Sequence, residues 1–371
     1  MPTTTPDVIV VGGGIIGVSC ARALAHLGAQ VLVVDAGDRE GAATPAAAGM
    51  LAPLAEARAE DPLLALNIRA RDLYVKLVAE LEEETGIDIG HWTGGILHAV
   101  FSEEGEAAAK SRVAWHRQSG FHSDWLPQDD IRERYPGLSQ RIVGGVLAGE
   151  DGLVEPMALY EAFLKSAELR GARIQENSPV TRVRLEHGKF VAVEVNGSTI
   201  GGDAVLIAAG CWSGRIEGLP RPLSVEPVRG QMAALPWPTE EPRSIVYGDR
   251  GYVVNKGNEG LVGSTMEFAG FNASNTDEGF NRIMKSAVQL YPALAGQDSI
   301  RRWAGLRPAT PDGNPIIGRD PEIENLWYAT GHGRNGILLA GLSGELIASL
   351  YEGKEVDSDL SALDPGRFWS F

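Results

Sequence analysis

Arg307 is the residue whose surroundings most directly suggest chemistry. It lies in the stretch WAGLRPATPDGNPIIG, residues 303–318, between Leu306 and Pro308, and the next acidic residue along the chain is Asp312. A guanidinium sent toward apolar surroundings needs an anion, because an unpaired charge is costly to bury. The pattern therefore predicts that Arg307 meets either a carboxylate of the protein or one carried by a ligand.

A glycine-rich segment near the start of the sequence suggests a second kind of binding. Gly12, Gly14 and Gly17 fit the pattern G-x-G-x-x-G, which follows the apolar run DVIVV and opens a helical segment. The amides of such a loop can approach a pyrophosphate closely, and the helix amino terminus stabilises its charge. Asp35 lies 18 residues beyond Gly17, where its carboxylate can accept ribose hydroxyls. The fingerprint predicts NAD or FAD and disfavours NADP, whose 2′-phosphate Asp35 would repel.

Elements that could position these residues follow from the apolar periodicity, which predicts a mixed α/β fold. Strand, glycine loop and helix occur at both ends of the chain, and short strands broken by Pro and Gly fill residues 221–270. The clearest helix begins with Asp61 as its predicted N-cap and ends at Gly86. The sequence thus predicts a Rossmann-like lobe interleaved with a substrate lobe built on a mainly antiparallel β-sheet. The predicted Rossmann-like lobe comprises residues 1–85, 145–215 and 300–371, and the substrate lobe comprises residues 86–144 and 216–299.

Composition excludes several classes of function. The 371 residues include 49 acidic and 33 basic side chains, a formal net charge of −16 that repels nucleic-acid phosphates and anionic lipid. No apolar run is long enough for a membrane span, and the start of the sequence has no signal-peptide pattern. The two cysteines, Cys20 and Cys211, have no metal-ligand spacing, so a reducing cytoplasm is expected and no metal is predicted.

The small-residue stretch GAATPAAAGMLAP, residues 41–53, would let a flat ring system lie against the backbone. Together with AAGCWSG, WAGLRPATPDGNPIIG and GHGRNGILLAG, and in the same order, it resembles the motifs of FAD-dependent flavoproteins of the D-amino-acid-oxidase type. Within that family the chain is most similar to the glycine oxidases of the ThiO type, which are associated with thiamine biosynthesis. The resemblance extends from residue 7 to about residue 355.

The resemblance implies a non-covalent FAD in the Rossmann-like lobe, because no cysteine lies near the last motif where related enzymes attach the flavin. It also implies that the segment from His332 to Leu338 closes over the isoalloxazine ring, with the last helix directed at the flavin. The residues that it assigns to the cofactor are Gly12, Gly14, Ile15, Ile16, Gly17, Asp35, Ala36, Ala43, Thr44, Ala48, Gly49, Met50, Val180, His332, Gly333, Arg334, Asn335, Gly336, Ile337 and Leu338.

For the substrate, the resemblance implies that Arg307 binds a carboxylate in a bidentate pair, with Tyr252 and Arg334 beside it. No side chain is assigned as a catalytic acid or base. Structural alternatives stay open at each position: an internal ion pair for Arg307, strand packing for Tyr252 and backbone bracing for Arg334.

The implied reaction is oxidative deamination of a small amino acid, glycine first, by hydride transfer to flavin N5. The imine would hydrolyse to glyoxylate or a keto acid plus ammonia, and O2 would be reduced to H2O2. Oxidation of sarcosine or a cyclic imino acid, and a D-amino-acid dehydrogenase with another electron acceptor, stay open as alternatives. The resemblance further implies a homo-oligomer, since relatives of this type form tetramers. Asp35 in place of the usual Glu, and Gly251 and Gly333 in the pocket motifs, depart from the family pattern.

Overall fold

The computed structural model describes residues 5–37, 39–57, 61–237, 242–354 and 360–369. Its helices are α1 (Ile15–His26), α2 (Ala43–Ala46), α3 (Leu64–Thr85), α4 (Glu103–Gln118), α5 (Gln128–Arg134), α6 (Pro156–Leu169), α7 (Asp277–Leu290) and α8 (Gly336–Glu352). Its strands are β1 (Val8–Val11), β2 (Val31–Val34), β3 (Met50–Leu51), β4 (Ile96–Val100), β5 (Asp124–Pro127), β6 (Gly144–Ala148), β7 (Gly152–Leu153), β8 (Arg173–Gln175), β9 (Val180–Glu186), β10 (Lys189–Val195), β11 (Ser198–Gly201), β12 (Ala204–Ile207), β13 (Glu226–Pro236), β14 (Ser244–Gly248), β15 (Gly251–Asn255), β16 (Glu259–Gly263), β17 (Arg301–Ala309), β18 (Ile316–Arg319) and β19 (Leu326–Thr330).

A six-stranded sheet forms the Rossmann-like part, in the order β18-β19-β12-β1-β2-β8. All neighbours in it are parallel except β18 and β19. The four residues of β1 are fully or almost fully buried, as expected for a central strand covered on both faces. Val8 and Val10 face the helices α1, α3, α6 and α8, whereas Ile9 and Val11 face the small sheet of β9, β10 and β11. These layers confirm the predicted Rossmann-like opening.

An eight-stranded sheet in the order β17-β13-β16-β15-β14-β4-β6-β5 forms the second part. It is antiparallel apart from the β14–β4 pair, as the Pro and Gly punctuation predicts. Strand alternation divides its two faces. Ala233, Val246 and Val253 pack toward α7 on the outer face, whereas Met232 and Tyr252 point from the inner face toward the first sheet. The predicted mixed α/β fold class is confirmed.

One predicted helix start is wrong. Helix α3 spans Leu64–Thr85 and is capped by Gly86, which adopts the left-handed conformation that favours glycine. Asp61 is not its N-cap, because its carboxylate accepts the N–H of Leu63 at 2.8 Å and closes a turn ahead of the helix. Proline at position 62 holds this turn, so the helix starts later than the sequence indicates.

The predicted lobe boundaries stay a prediction, and two strands bear on them. Strands β6 and β17 both belong to the eight-stranded sheet, where they lie near opposite edges. Most of their residues nevertheless fall within segments 145–215 and 300–371, which the sequence assigns to the Rossmann-like lobe. Both segments therefore pass between the two sheets. Over the described ranges, none of the helices combines the length and apolar character needed to cross a bilayer.

Candidate active site

A cavity of about 890 Å³ extends from the glycine-rich loop to the inner face of the eight-stranded sheet. One end is lined mostly by backbone and small residues, including Gly12 and Gly14. The other end carries the side chains of Tyr252, Arg307 and Arg334. A cleft of this size between two sheets is where a ligand is expected to bind.

The glycine-rich loop is shaped by close approaches that exclude side chains. Gly12 has a φ of +106°, and a Cβ there would lie 2.6 Å from the carbonyl oxygen of Ala208. At Gly17 a Cβ would lie 1.9 Å from the carbonyl oxygen of Gly12. Gly17 thus lets α1 lie against β1, and it stands behind the cavity wall rather than in it. The loop therefore presents its backbone to the cavity.

The amino terminus of α1 supplies hydrogen-bond donors to this end of the cavity. The amide of Ile15 donates to the hydroxyl of Thr44 at 3.2 Å, whereas the amides of Gly14 and Ile16 have no acceptor among the described residues. Asp35 accepts the amide of Gly13 at 2.6 Å and that of Gly37 at 2.8 Å, one on each carboxylate oxygen. Each oxygen keeps a second lone pair, so the carboxylate can still accept ribose hydroxyls. These features fit a bound dinucleotide.

The stretch 41–53 folds closely against its neighbours. Gly49 has a φ of +89°, and its missing side chain admits the carbonyl oxygen of Val154, 1.9 Å from where a Cβ would lie. Ala46 approaches β17, where its carbonyl accepts the indole N–H of Trp303 at 3.1 Å and any Cβ on Gly305 would lie 2.4 Å from its own Cβ. The stretch therefore runs along the cavity as a wall with few side chains.

The structure brings the predicted cofactor residues together around one cavity. Of the twenty, only Gly17 and Leu338 do not line it: Leu338 is 3% exposed and packs in the core of the first sheet. The remaining eighteen come from the glycine-rich loop after β1, α1, the two residues after β2, the stretch 41–53, the start of β9, the turn before α8 and the first residues of α8.

The turn at residues 332–336 is fixed to both parts of the molecule. The imidazole of His332 pairs with the hydroxyl of Ser343 on α8 at 2.9 Å, and the amide of Gly333 donates to the carbonyl of Pro308 on β17 at 2.8 Å. Burial lowers the pKa of His332 to about 3, because the charged imidazolium would lose its hydration. At neutral pH His332 is therefore an uncharged structural residue.

Arg307 points along the inner face of the eight-stranded sheet. It donates to the hydroxyl of Ser264 at 2.7 Å and to the carbonyl of Thr265 at 3.1 Å. Gly230 on the neighbouring strand makes room for it, since a Cβ there would lie 2.2 Å from a guanidinium nitrogen. In the part of the chain that the structure describes, no carboxylate forms a salt bridge with Arg307. Its charge is held in place by neutral groups.

Two tyrosines lie side by side next to Arg307. Tyr247 and Tyr252 are directly opposite in the β14–β15 hairpin, with ring centroids 5.5 Å apart. The hydroxyl of Tyr252 contacts the sulfur of Met232 at 3.6 Å, a weak acceptor. Burial raises the pKa of both phenols, so both are protonated hydrogen-bond donors at neutral pH.

Arg334, unlike Arg307, has a carboxylate partner. Its guanidinium donates to one oxygen of Glu56 at 2.7 Å, and the same oxygen accepts the hydroxyl of Tyr247 at 2.6 Å. The nearby Glu56 charge raises the pKa of Arg334. The site thus contains one arginine in direct contact with a carboxylate and one held by neutral groups, on which the Glu56 charge acts only from a longer distance.

The turn that carries Glu56 is fixed by a buried carboxylate. Asp151 is fully buried and accepts the amides of Leu54 at 3.0 Å and Ala55 at 2.7 Å. Its other oxygen accepts a hydrogen bond from Arg71 at 3.2 Å. Burial raises the pKa of Asp151 to about 6, because the desolvation of the charged form outweighs these hydrogen bonds.

Sequence reasoning missed Tyr247, Glu56 and Asp151. Tyr247 had a usable signal: in a tight hairpin the residue opposite Tyr252 must point to the same face. Glu56 had none, since a single acid after the small-residue stretch looks like an ordinary surface residue. Within the described residues, no group of three or more His, Cys, Asp or Glu side chains could hold a metal ion. Cys20 and Cys211 are free and buried.

Comparisons with known proteins agree with this geometry. A family model described as "FAD dependent oxidoreductase" (DAO) matches residues 7–350. The bifunctional protein ThiO/ThiG of Synechocystis sp. is 37% identical over 98% of this chain and 54% of its own length, so the chain spans about half of that relative. Glycine oxidase of Bacillus subtilis is 33% identical, with 95% of each chain covered. The crystal structure of glycine oxidase from Geobacillus kaustophilus is 32% identical, with 98% of each chain covered and a TM-score of 0.92.

Proposed function

The chain belongs to the family of FAD-dependent oxidoreductases of the DAO type, and from this premise we propose that it oxidises a small amino acid, with glycine as the first candidate. Its similarity to glycine oxidases over nearly the whole chain supports the activity of an FAD-dependent amino-acid oxidase. The similarity to ThiO/ThiG proteins supports a role in thiamine biosynthesis. The resemblance that the sequence motifs suggest is thereby confirmed.

The observation that carries the proposal is the uncompensated charge of Arg307. A guanidinium held by a hydroxyl and a carbonyl, with no carboxylate on it, is suited to the carboxylate of a ligand. Tyr252 lies beside it with only a weak acceptor, so its hydroxyl can donate to the same carboxylate. We assign Arg307 as the main carboxylate-binding residue, Tyr252 as a second donor and Arg334 as a residue at the edge of the substrate site.

The other end of the cavity would hold FAD non-covalently. Amides of the glycine loop and of the α1 amino terminus would bind the pyrophosphate, and Asp35 the ribose, while the turn at residues 332–336 would lie against the flavin. When bound, FAD supplies the acceptor for a hydride from the substrate Cα, and O2 then takes the two electrons and becomes H2O2. Cys20 does not line the cavity, whereas Cys211 does, so the proposal of a non-covalent FAD rests on the resemblance and on the test given below.

The residues around Arg307 position the substrate rather than exchange protons with it. His332 is uncharged and bound to Ser343, and the two tyrosines hold their protons at neutral pH. Fixing the carboxylate on Arg307 directs the Cα–H bond of a neutral amine toward the wall where the flavin would lie. Orientation of this kind supplies much of a rate enhancement without an acid or base. The imine product hydrolyses to glyoxylate or a keto acid and ammonia.

An anaerobic titration of the purified yellow protein tests the proposal. Glycine, sarcosine, D-proline and D-alanine are added in turn, and the loss of flavin absorbance near 450 nm, roughly the band expected of an oxidised flavin, is followed. Reduction by at least one small amino acid is expected. If none of them reduces the flavin, the proposed function is wrong.

Admitting air then identifies the electron acceptor. Release of H2O2 in step with substrate oxidation supports an oxidase. Slow reoxidation by air and fast reoxidation by a quinone would support the dehydrogenase alternative instead. Precipitation with acid should release the yellow colour into solution if FAD is non-covalent. We further propose, from the resemblance alone, a cytoplasmic homo-oligomer, which light scattering after size-exclusion chromatography would detect.

A further inference from the structure

Resting on the proposed function, we propose that Glu56 is the residue that selects substrates by charge. Two other arginines of the cavity, Arg39 and Arg215, lie over the rings of Trp212 and Phe271. By occupying Arg334, Glu56 leaves the substrate end with one guanidinium that has no carboxylate partner among the described residues, that of Arg307. The site then accepts amino acids with one carboxylate and rejects amines that carry two. Removing the charge of Glu56 would convert Arg334 into a second carboxylate-binding residue.

The geometry of the pair supports this role. One oxygen of Glu56 accepts both the guanidinium of Arg334 at 2.7 Å and the hydroxyl of Tyr247 at 2.6 Å. Charge-assisted hydrogen bonds of this length are the strong ones, so Arg334 is committed to Glu56 and cannot bind another carboxylate equally well. The Arg334 side chain is 47% exposed and that of Glu56 is 27% exposed, so an incoming ligand could reach both.

The difference between the two arginines makes the selection. Arg307 and Arg334 both line the cavity, and the positive charge of each opposes the burial that raises the pKa of Tyr252. A ligand carboxylate bound to Arg307 would form an ion pair with a guanidinium that has no salt bridge to a described carboxylate. A second carboxylate near Arg334 would instead meet a guanidinium already neutralised, with the Glu56 carboxylate repelling it.

Glu56 cannot easily move aside to admit a second carboxylate. The two residues before it, Leu54 and Ala55, donate their amides to the buried Asp151, and its own amide donates to the carbonyl of Ala52 at 3.1 Å. These bonds fix the backbone of the turn, so that only side-chain rotation remains. Rotation would break the contacts with Tyr247 and Arg334 together. Asp151 is therefore a positioning residue for the selection.

The experiment compares sarcosine with iminodiacetate, which differs from sarcosine by a second carboxylate on the N-methyl carbon. In either substrate a C–H bond next to the amine loses a hydride and the amine loses a proton, and both electrons pass to O2 as H2O2. Water then cleaves the imine, so that iminodiacetate gives glyoxylate and glycine. In Glu56→Gln the ratio of kcat/KM for iminodiacetate to that for sarcosine should rise about 10-fold or more. An unchanged ratio in an FAD-loaded variant would overturn the proposal.

Two control variants separate charge selection from a loosened pocket. Tyr247→Phe removes one hydrogen bond to Glu56 but keeps the pair with Arg334, so its ratio should change by less than about 3-fold. The double variant Glu56→Gln with Arg334→Met should lose the gain of the single variant, because no cation remains for the second carboxylate. A gain that persists in the double variant would overturn the assignment to Arg334.

Ligand binding gives a readout that does not need turnover. Acetate and malonate, with one and two carboxylates, are titrated into the FAD-loaded wild-type protein while the flavin difference spectrum is recorded. Acetate should bind about 10-fold more tightly, and equal affinities would overturn the proposal even if Glu56→Gln fails to fold. If no amino acid reduces the flavin but acetate is still preferred, the proposed function fails while the charge selection stands.

Discussion

The two ends of the cavity differ in the groups that line them: mainly backbone at one end and long side chains at the other. At the dinucleotide end, Gly12, Gly17 and Gly49 define the shape by lacking side chains, and the donors are backbone amides. At the substrate end, long side chains from separate strands, such as Arg307 and Tyr252, converge on a small volume. At these three glycines the first end has no room for an added side-chain atom, whereas the second end can lose a side chain and keep its fold.

This difference decides how each end responds to change. A Cβ added at Gly12 or Gly17 meets backbone, which cannot move without displacing α1 or the residues after β12. A side chain removed from the substrate end leaves space and changes affinity by the strength of one contact. We therefore expect all-or-none effects on cofactor binding at the first end and graded kinetic effects at the second.

Gly17→Ala should produce the largest effect. Its methyl group would lie 1.9 Å from the carbonyl oxygen of Gly12, so α1 must move away from the loop. Purified protein should lose FAD binding by more than about 100-fold, measured by flavin absorbance at equal protein concentration. Gly149→Ala is the matched control, because its methyl group would meet nothing within 4 Å, and it should remain yellow. A Gly17→Ala protein that still binds FAD would contradict the all-or-none response expected of the dinucleotide end.

Asp151→Asn tests the support of the substrate end through stability. Because burial raises the pKa of Asp151 from 3.8 to about 6, the folded state holds this proton more tightly than the unfolded state. The wild-type free energy of unfolding should therefore fall as pH rises from about 4 to about 6, by up to about 3 kcal/mol from this group. Urea unfolding of both proteins at several pH values measures the difference. A wild-type minus variant difference that stays constant over this range would show that Asp151 does not titrate there.

Arg307→Ala should weaken substrate binding without releasing FAD. Loss of a charge-assisted pair of about 1.5–3 kcal/mol predicts a KM raised about 10- to 100-fold, measured by steady-state kinetics. Arg302→Ala serves as the control, since Arg302 is on the same strand but pairs with Asp277 at the surface. An unchanged KM in Arg307→Ala would contradict the assignment of Arg307 as the carboxylate-binding residue. Loss of the flavin would contradict the expected separation of the two ends of the cavity.

Gly230→Ala should show the smallest effect. Its methyl group would meet the end of the flexible Arg307 side chain at 2.2 Å rather than backbone, so the guanidinium shifts and the fold survives. We expect a KM raised about 3- to 10-fold with FAD retained. The double variant with Arg307→Ala should be no worse than Arg307→Ala alone, because both changes act through one side chain. If the effects of the two substitutions on KM add, Gly230→Ala must act through something other than the Arg307 side chain.

The same difference explains what could be predicted from the sequence. The glycine loop has a local signature, and the predicted strand, loop and helix lie where the pattern puts them. The turn between β10 and β11 also has a local signature, since the pair Asn196-Gly197 readily adopts the positive φ that both residues show. In contrast, the Glu56–Arg334 pair joins residues 278 positions apart, and no local pattern records such a contact.

Asp151 shows that the type of one residue and its neighbours in the sequence do not reveal its burial. It follows a glycine-rich strand end as an ordinary turn residue would, yet the fold buries it completely beneath the turn that carries Glu56. Asp61 shows the opposite error. Its residue type suits a helix N-cap, but the proline that follows it holds a separate turn, and the helix begins only at Leu64. Burial and three-dimensional neighbours, rather than residue type, decide both cases.

A crystal structure of the FAD-loaded protein with glycolate, a non-amine analogue of glycine, would show whether Arg307 binds the carboxylate of a ligand. We expect the glycolate carboxylate to lie about 2.7–2.9 Å from terminal nitrogens of Arg307, with the hydroxyl of Tyr252 donating to the same group. Glycolate bound elsewhere in the cavity, with Arg307 still donating only to Ser264 and Thr265, would contradict it.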